Sequence, residues 1–144
     1  LPIQSGSTEI LKKMRRSYTR VIFLKKVASL RQACPEIAIT TDIIVGFPGE
    51  TEEQFNDSIN LIKEIKPDVL NRSRFWPRPG TPAAKFPDQL HGNITKERSR
   101  KLTSLFEYIS FENNKKWKDW TGENLDLVMA EWATENINSQ EETD

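Results

Sequence analysis

Apolar residues are most concentrated between residues 37 and 55, where the chain reads IAITTDIIVGFPGETEEQF. The first half of this stretch is rich in β-branched residues, which favours a strand covered on both faces in a parallel sheet. Phe47-Pro48-Gly49-Glu50 predicts a type II turn, because proline presets φ at the second position and glycine accepts a positive φ at the third. Thr51 and Gln54 have the spacing of a capping box. A helix is therefore predicted next, with apolar positions at Phe55, Ile59 and Ile62.

Two helices are predicted before this strand. Ser7 is placed to cap the first of them, and Thr19 is placed to cap the second. Pro35 ends the second helix because proline cannot continue the hydrogen-bond pattern. Cys34 closes this helix and is interpreted as a small packing residue. The buried stripe of the second helix is predicted to be Phe23, Leu24, Val27, Ala28 and Leu30.

A second strand is predicted from Val69 to Trp76. Arg72 and Arg74 flank Ser73 in this strand, and arginines are costly to bury without anionic partners. Two interpretations stay open: the strand lines a polar cavity, which we favour, or its arginines pair with internal acids. Arg78-Pro79-Gly80-Thr81 then predicts another stiff turn of the same kind.

The last predicted helix is the longest. Pro82 to Asn93 predicts an irregular crossing, in which His91 is expected to be a surface residue. Thr95 is placed to cap the helix that follows. Leu125 to Met129 predicts one further strand. The inner face of the helix is predicted to carry Leu102, Leu105, Phe106 and Ile109, and its outer face Lys96, Arg98, Arg100 and Lys101.

Length and composition limit what the chain can be. Its 144 residues suit one domain, but they fall below the ~200 residues of a full α/β barrel, which indicates part of a larger unit. Leu1 is not a start methionine. The single cysteine, Cys34, excludes an internal disulfide and cannot by itself supply a zinc site or an iron–sulfur cluster, and His91 does not complete one. No apolar run reaches the ~20 residues of a membrane span and no signal-peptide pattern is present, so we expect a cytosolic protein without membrane partners.

Charge is balanced overall but not along the chain, since 21 basic residues match 21 acidic ones. Residues 1–34 hold eight basic residues and one acidic residue, whereas residues 119–144 hold eight acidic residues and no Lys or Arg. The basic head can face nucleic-acid phosphate or an anionic cofactor. The alternative, a pair of solvated helix faces, stays open.

Candidate chemistry lies at the ends of the predicted strands. In strand–turn–helix units ligands bind at the carboxyl end of the strand, which points to the residues from Gly46 to Glu50. An ordinary turn without a ligand is the open alternative. The Gln4-Ser5-Gly6-Ser7 loop, between a strand end and a helix start, offers hydroxyls, an amide and backbone N–H groups suited to ribose or carboxylate.

Several segments occur in one order at the spacing of strand–helix units: LPIQSGS, ILKKMRRSYT, ITTDIIVGFPGETEEQF, RFWPRPGTPAAK and TKERSRKL. This ordered set resembles the methylthiotransferases of the radical S-adenosylmethionine superfamily, and its last two segments look most like the archaeal and eukaryotic branch that modifies tRNA. The resemblance implies an α/β fold in which residues 1–118 form the carboxyl half of a partial (β/α)6 barrel. WTGENLDLVMAE looks like the opening of a small RNA-binding β domain (TRAM), of which residues 119–133 would be the start. Residues 134–144 are expected to form a disordered tail, because their composition is polar and acidic.

The resemblance also implies cofactors and a substrate. In this family a [4Fe-4S] cluster held by three cysteines at CxxxCxxC spacing cleaves S-adenosylmethionine reductively, and a second cluster supplies sulfur. None of those cysteines is in this chain, so we expect the cluster ligands to lie in a missing N-terminal half and the chain to be inactive alone. The implied substrate is tRNA, in which N6-threonylcarbamoyladenosine next to the anticodon becomes its 2-methylthio derivative.

Site residues carry over from the family at matching positions. Arg16, in the family's Met-x-Arg-x-Tyr pattern, would pair with the methionine carboxylate of the cofactor; a surface ion pair is the alternative. Glu50 would orient a polar group or merely favour the positive end of the following helix. Gln4 and Ser5 are assigned to the ribose and nearby polar groups. Ile44, Val45 and Gly46 are assigned to the adenine, with core packing as the alternative for Ile44 and Val45. Phe75 and Trp76 are assigned to the cover of the purine.

Two other functions stay open. Bacterial relatives share the barrel, so the target can instead be isopentenyladenosine in tRNA or a ribosomal-protein aspartate. A protein of another class, a cluster-free module that binds nucleic acid or a phosphate ligand through its basic head, has the same local features.

Overall fold

The computed structural model describes residues 1–118 of the chain. The predictions for residues 119–133, including the strand from Leu125 to Met129, and for the tail 134–144 lie outside the described residues. No helix of the described part is both long enough and apolar enough to span a membrane. The elements in chain order are helix α1 (Thr8–Lys13), helix α2 (Arg20–Ala33), strand β1 (Thr40–Val45), helix α3 (Glu52–Ile65), strand β2 (Val69–Arg74), a 3-10 helix (Pro82–Lys85), helix α4 (Gly92–Asn114) and a second 3-10 helix (Lys115–Trp117).

β1 is the central strand of a parallel arrangement, so the chain has the predicted α/β class. It pairs with β2 in parallel and in register along the whole length of both strands. On its other side Gln4 forms a parallel bridge to Ile43. The Gln4 N–H donates to the Asp42 carbonyl at 2.8 Å, and the Ile44 N–H donates to the Gln4 carbonyl at 2.9 Å. Three parallel segments therefore end side by side.

The helices cover one face of this sheet. Thr41, Ile43 and Val45 point to that face and are at most 1 % exposed. Asp42 and Ile44 point to the opposite face and are only half-buried. The expectation that the strand is covered on both faces is therefore wrong, because the second face borders the cavities described below. The core cluster comprises Ile3, Leu11, Phe23, Val27, Ile43, Leu61, Ile62, Ile65, Leu70, Leu102 and Ile109.

The capping motifs predicted for two helices are present. Thr51 and Gln54 form a complete capping box at the start of α3. At the start of α2 the Thr19 hydroxyl accepts a hydrogen bond from the Ile22 N–H at 3.3 Å. Ser7 occupies the N-cap position of α1, but its side chain makes no capping hydrogen bond. Local sequence patterns thus set the starts of the helices around β1.

The start of α4 differs from the prediction. The helix begins at Gly92 and its N-cap is His91, whose Nδ1 accepts a hydrogen bond from the Asn93 N–H at 3.2 Å. Thr95 lies inside the first turn, where its hydroxyl donates to the Gly92 carbonyl at 3.0 Å. The prediction of Thr95 as the cap is wrong because the exposed imidazole of His91 takes that role one turn earlier.

Three boundaries also need correction. β1 begins at Thr40 although the apolar stretch starts at Ile37, and β2 ends at Arg74, two residues before the predicted end. The crossing expected to be irregular contains the 3-10 helix Pro82–Lys85. Cys34 is exposed because it follows the last helical residue of α2, beyond the part of that helix that reaches the core. It is therefore not a packing residue.

Candidate functional site

A cavity of about 750 Å³ lies where the three parallel segments end; we call it the strand-end cavity. All three segments contribute to its wall, and so does the turn after β2. Its volume lies within the range of about 300 to 1,000 Å³ that is typical of small-molecule sites. Its lining residues are Gln4, Arg16, Asp42, Ile43, Ile44, Asn71, Ser73, Arg74, Phe75, Trp76, Arg78, Thr81 and Ala83.

A second cavity, of about 630 Å³, lies beside the first, between the end of β1 and the start of α4; we call it the helix-side cavity. The end of β2 separates the two cavities, each of which is large enough for a small molecule. The residues common to both are Ser73, Arg74, Phe75 and Trp76. The other lining residues of the helix-side cavity are Gly46, Pro77, Ala84, Gln89, Leu90, Gly92 and Thr95.

Six of the residues predicted to bind a ligand lie on the walls of these cavities. They are Gln4, Arg16 and Ile44 in the strand-end cavity, Gly46 in the helix-side cavity, and Phe75 and Trp76 in both. Trp76 is 76 % exposed, so its indole is open to solvent at the shared wall. The structure thus brings these six together around two neighbouring spaces.

The other three predicted residues lie behind the walls. Ser5 and Val45 are completely buried, and Glu50 is 4 % exposed. The Ser5 hydroxyl accepts a hydrogen bond from the Ser7 N–H at 3.2 Å, whereas Val45 points to the helix-covered face of the sheet. These side chains therefore support the cavity walls and do not form their surface.

Arg16 is held at the cavity rim by the turn that ends α1. Arg15 adopts a φ of 58° and the Arg16 N–H donates to the Leu11 carbonyl at 2.9 Å, as at helix ends with a left-handed residue. The Tyr18 hydroxyl donates to the Ile3 carbonyl at 3.3 Å, which ties this turn to the first segment of the sheet. The Arg16 side chain is exposed and forms no ion pair within residues 1–118.

The rim of the strand-end cavity is positively charged. Arg16, Arg74 and Arg78 line it, and Asp42 is the one acidic residue among the lining residues named above. The prediction that the second strand lines a polar cavity is confirmed for Arg74, whereas Arg72 lies 5.5 Å from the centre of an aromatic ring of α4. A cationic rim around a concave surface favours ligands with carboxylate or phosphate groups.

Asp42 was not among the residues predicted from the sequence, and it joins the three segments across the cavity face. Its Oδ1 accepts a hydrogen bond from Asn71 Nδ2 at 2.8 Å, and its Oδ2 accepts a longer one from Gln4 Nε2 at 3.5 Å. The sequence could have indicated that Asp42 lies on the cavity face, because Asp42 precedes Ile44 by two positions and alternate residues of a strand share a face.

Glu50 and Arg98 form a buried ion pair behind the turn at Gly46. Arg98 Nη1 donates to Glu50 Oε2 at 2.8 Å, and the same oxygen accepts the Gly46 N–H at 2.9 Å. Arg98 is 5 % exposed, so its predicted place on the outer face of the last helix is wrong. The spacing could have indicated that Arg98 is buried, because Arg98 lies four residues before the buried Leu102 and shares its side of the helix.

Burial raises the pKa of the Glu50 carboxyl above its ordinary value of 4.5, although the Gly46 N–H and the Arg98 guanidinium act in the opposite direction. The folded state therefore binds a proton in a pH range where the unfolded state has released it. As a result, the stability that Glu50 contributes falls as the pH rises from 4.5 through the raised pKa.

The direction of this pH dependence of stability can be tested with Glu50→Gln, which cannot titrate. We expect the free energy of unfolding of the parent chain, minus that of the variant, to fall as the pH rises through this range. Urea titrations at a series of pH values measure the difference, and all other titrating groups are common to both proteins. A difference that is constant, or that grows with pH, would show that the pKa of Glu50 is not raised.

The described residues do not supply the ligands of an iron–sulfur cluster. Within residues 1–118 no group of three or more His, Cys, Asp or Glu side chains is placed to hold a metal ion. The single cysteine of the sequence, Cys34, is exposed. A [4Fe-4S] cluster takes several thiolates, and one cysteine does not fit that requirement.

The chain is similar in sequence to known proteins. Residues 1–62 match the model of the Radical SAM superfamily. The chain is 51 % identical over 130 residues to the tRNA-2-methylthio-N(6)-dimethylallyladenosine synthase of Tropheryma whipplei (strain Twist), which covers 90 % of this chain and 27 % of that protein. It is 54 % identical over 117 residues to a Pyrococcus horikoshii protein named "Probable threonylcarbamoyladenosine tRNA methylthiotransferase", which covers 81 % of this chain and 27 % of the relative.

A third relative, from Geobacillus thermodenitrificans (strain NG80-2), is named tRNA-2-methylthio-N(6)-dimethylallyladenosine synthase; it is 44 % identical over 129 residues, 90 % of this chain and 24 % of the relative. The chain thus spans about a quarter of the length of these relatives. Their names share one chemistry and differ in the nucleoside. The chain therefore carries a Radical SAM match in residues 1–62 and is a homologue of enzymes named as tRNA methylthiotransferases.

Proposed function

We propose that this chain is the S-adenosylmethionine-binding and RNA-facing part of a longer tRNA methylthiotransferase. The strand-end cavity carries the proposal, because side chains from four of the family-like segments meet there under a cationic rim. In this assignment residues 1–118 form the carboxyl half of a partial (β/α)6 barrel, and residues 119–133 begin a TRAM-like domain.

The strand-end cavity fits S-adenosylmethionine in its chemistry. The cofactor carries a carboxylate, ribose hydroxyls and a flat purine. Arg16, which has no ion pair within the described residues, would bind the carboxylate through its guanidinium. Gln4, beside Asp42, would bind the ribose, and the apolar wall at Ile44 and Phe75 would contact the purine. When bound, S-adenosylmethionine supplies these enzymes with an adenosyl radical and a methyl group.

The [4Fe-4S] clusters would be held by cysteines outside this chain, in an N-terminal half of the same enzyme. The chain alone would then be inactive in methylthio transfer, since it has one cysteine. This enzyme would work in the cytosol, where tRNA is available, with no membrane partner.

The exposed cations support tRNA as the macromolecular partner. Lys13 and Arg15 line a smaller cavity next to Arg16, and Arg74 and Arg78 continue the positive surface along the strand-end cavity. Lysine and arginine side chains on one surface bind phosphates. An exposed tryptophan beside them offers a stacking surface for an unpaired base, and Trp76 has that position.

We assign N6-threonylcarbamoyladenosine as the target nucleoside, because the segments RFWPRPGTPAAK and TKERSRKL look most like the archaeal and eukaryotic branch. The Pyrococcus horikoshii relative, named for that nucleoside, is 54 % identical. The second candidate is the dimethylallyl (isopentenyl) adenosine named in the Tropheryma whipplei relative. A ribosomal-protein aspartate is a third and less favoured target.

Mass spectrometry of tRNA nucleosides separates these candidates. Cells that lack the gene for the full-length protein are expected to lose 2-methylthio-N6-threonylcarbamoyladenosine and to regain it when the gene is restored. Loss of the 2-methylthio derivative of isopentenyladenosine instead would move the assignment to the second candidate. If both derivatives persist at parental levels, tRNA methylthio transfer is not the function.

Replacing Arg16 by Ala tests the carboxylate assignment. In the full-length enzyme we expect Arg16→Ala to weaken binding of S-adenosylmethionine about 30-fold, which corresponds to the roughly 2 kcal/mol of hydrogen bonds between charged groups. Isothermal titration calorimetry measures the dissociation constant. Arg100→Ala is the control, because Arg100 is exposed on α4 and lines neither cavity. Equal affinity of the Arg16 variant and the parent would remove the assignment.

A further inference from the structure

A contact network outside the cavity walls joins α4 to the turn at Gly46. Arg98 Nη1 donates to Glu50 Oε2 at 2.8 Å and to the Glu50 carbonyl at 2.9 Å. Glu50 Oε2 in turn accepts the Gly46 N–H at 2.9 Å. One guanidinium on α4 is thus connected, through a single carboxylate, to a backbone N–H on the wall of the helix-side cavity.

This network is buried and constrained from several sides. The side chains of Arg98 and Glu50 are 7 % and 1 % exposed. Arg98 also bonds to Glu52, with 3.2 Å between Nε and Oε2, and its guanidinium carbon lies 5.4 Å from the centre of the Phe55 ring. A buried guanidinium with this many contacts has little freedom to move, so the carboxylate that it holds is fixed as well.

Stability alone does not explain this ion pair. Replacing a buried ion pair by apolar side chains of similar size is often neutral or stabilising, because removing two charges from water is costly. Within the described residues Glu50 Oε1 is buried and has no hydrogen-bond partner, which adds to that cost. What the charged arrangement provides is a fixed acceptor for the Gly46 N–H at the end of β1.

We propose that Arg98 is a positioning residue for ligand binding: through Glu50 it fixes the Gly46 turn directly after β1, and with it the position of Ile44 on the wall of the strand-end cavity, and so it sets the affinity of that cavity for the adenosyl ligand. This inference rests on the proposed function, because the ligand is the one assigned there. Arg98 touches neither cavity and acts on the ligand only through Glu50 and Gly46.

A matched control exists on the same helix. Lys101 Nζ lies 3.4 Å from Glu52 Oε1 and 3.1 Å from Glu97 Oε1. It therefore shares an acidic partner with Arg98, but it is exposed and does not reach Glu50. A variant at Lys101 removes a positive charge from α4 and leaves the contact to the Gly46 turn in place.

The test uses Arg98→Lys, Arg98→Met and Lys101→Met in the full-length enzyme. Two quantities are measured on folded protein: the dissociation constant for S-adenosylmethionine, by calorimetry, and the hydrogen-exchange rate of the Gly46 amide without ligand. We expect Arg98→Met to bind about tenfold more weakly than the parent, with faster exchange at Gly46. For Arg98→Lys, which keeps the charge but not the fork of donors, we expect an affinity and an exchange rate between those of the parent and those of Arg98→Met. For Lys101→Met we expect the parental values of both.

The outcomes separate this inference from the proposed function. If Arg98→Met does not fold, Arg98→Lys decides alone by the same two measurements. An Arg98→Lys protein with parental affinity and parental exchange at Gly46 overturns the positioning role and leaves the proposed function intact. A parent enzyme that does not bind S-adenosylmethionine overturns the proposed function, and the positioning role with it.

Discussion

Replacing Gly46 by Ala is expected to lower the free energy of unfolding by about 3 kcal/mol. Gly46 has a φ of 77°, which costs a residue with a Cβ about 1–2 kcal/mol. A Cβ at this position would also lie 2.2 Å from Thr95 Cγ2, and overpacking of this kind costs about 1–3 kcal/mol. Equilibrium urea unfolding, followed by circular dichroism, measures the change.

Gly80 provides the control for the backbone part of this effect. Its φ of 82° is nearly the same, but a Cβ there would meet nothing within 4 Å. Gly80→Ala is therefore expected to cost only the conformational part, about 1–2 kcal/mol. Adding Thr95→Ser to Gly46→Ala removes the clashing methyl and should recover part of the lost stability. If Gly46→Ala is no more destabilising than Gly80→Ala, then Thr95 of α4 does not lie as close to Gly46 as described.

Replacing Gly6 by Ala is expected to have an effect of similar size, for a different reason. A Cβ on Gly6 would lie 2.4 Å from the Asp57 carbonyl oxygen and 2.5 Å from Ser58 Cα. Both are backbone atoms of α3, which cannot rotate away as a side chain can. The Gly6 N–H also donates to the buried Ser58 Oγ at 2.8 Å. We expect Gly6→Ala to lower the free energy of unfolding by about 3 kcal/mol. Urea unfolding again measures the change.

Gly92→Ala is the control for Gly6→Ala. Gly92 is the first residue of α4, and a Cβ there would meet nothing within 4 Å. Alanine favours helix over glycine by about 1 kcal/mol in a helix interior, so this variant is expected to be neutral or slightly more stable. A Gly6→Ala chain as stable as the Gly92→Ala chain would show that the Gln4-Ser5-Gly6-Ser7 loop does not pack against α3.

The parts of the fold that local sequence determines were predictable. The turn at Phe47-Pro48-Gly49-Glu50 forms with the Glu50 N–H donating to the Phe47 carbonyl at 2.9 Å, and Gly49 has a φ of 73°. The capping box of α3 is complete. In each case residues within four positions of one another supply all the interactions, so no knowledge of tertiary structure is needed.

The features that the prediction missed depend on contacts between distant residues. Arg98 lies between charged residues in TKERSRKL and resembles an exposed position, but Glu50, 48 positions earlier, gives it a buried partner. Thr95 has the usual chemistry of an N-cap, yet His91 takes that position and leaves Thr95 against Gly46. Tertiary packing decided these two positions, and side-chain type was a poor guide to them.

The segments that form the candidate site were predictable, but the burial of the individual residues was not. Strand order and the family-like segments pointed to Gln4, Arg16, Ile44 and Phe75, which line one cavity. The sequence could not separate the residues on the cavity surface from Ser5, Val45 and Glu50 behind it, because that depends on how the segments twist and pack. The structure adds Asp42 to the surface, where it contacts its neighbours on both sides.

The central claim is that the ends of the three parallel segments form one binding site for the adenosyl cofactor. The most direct test is a crystal structure of the full-length enzyme with S-adenosylmethionine bound. We predict that the ligand occupies the strand-end cavity, with its carboxylate at Arg16, its ribose at Gln4 and its purine against Ile44 and Phe75. A ligand bound elsewhere, or a strand-end cavity filled by side chains of the rest of the enzyme, would contradict the claim.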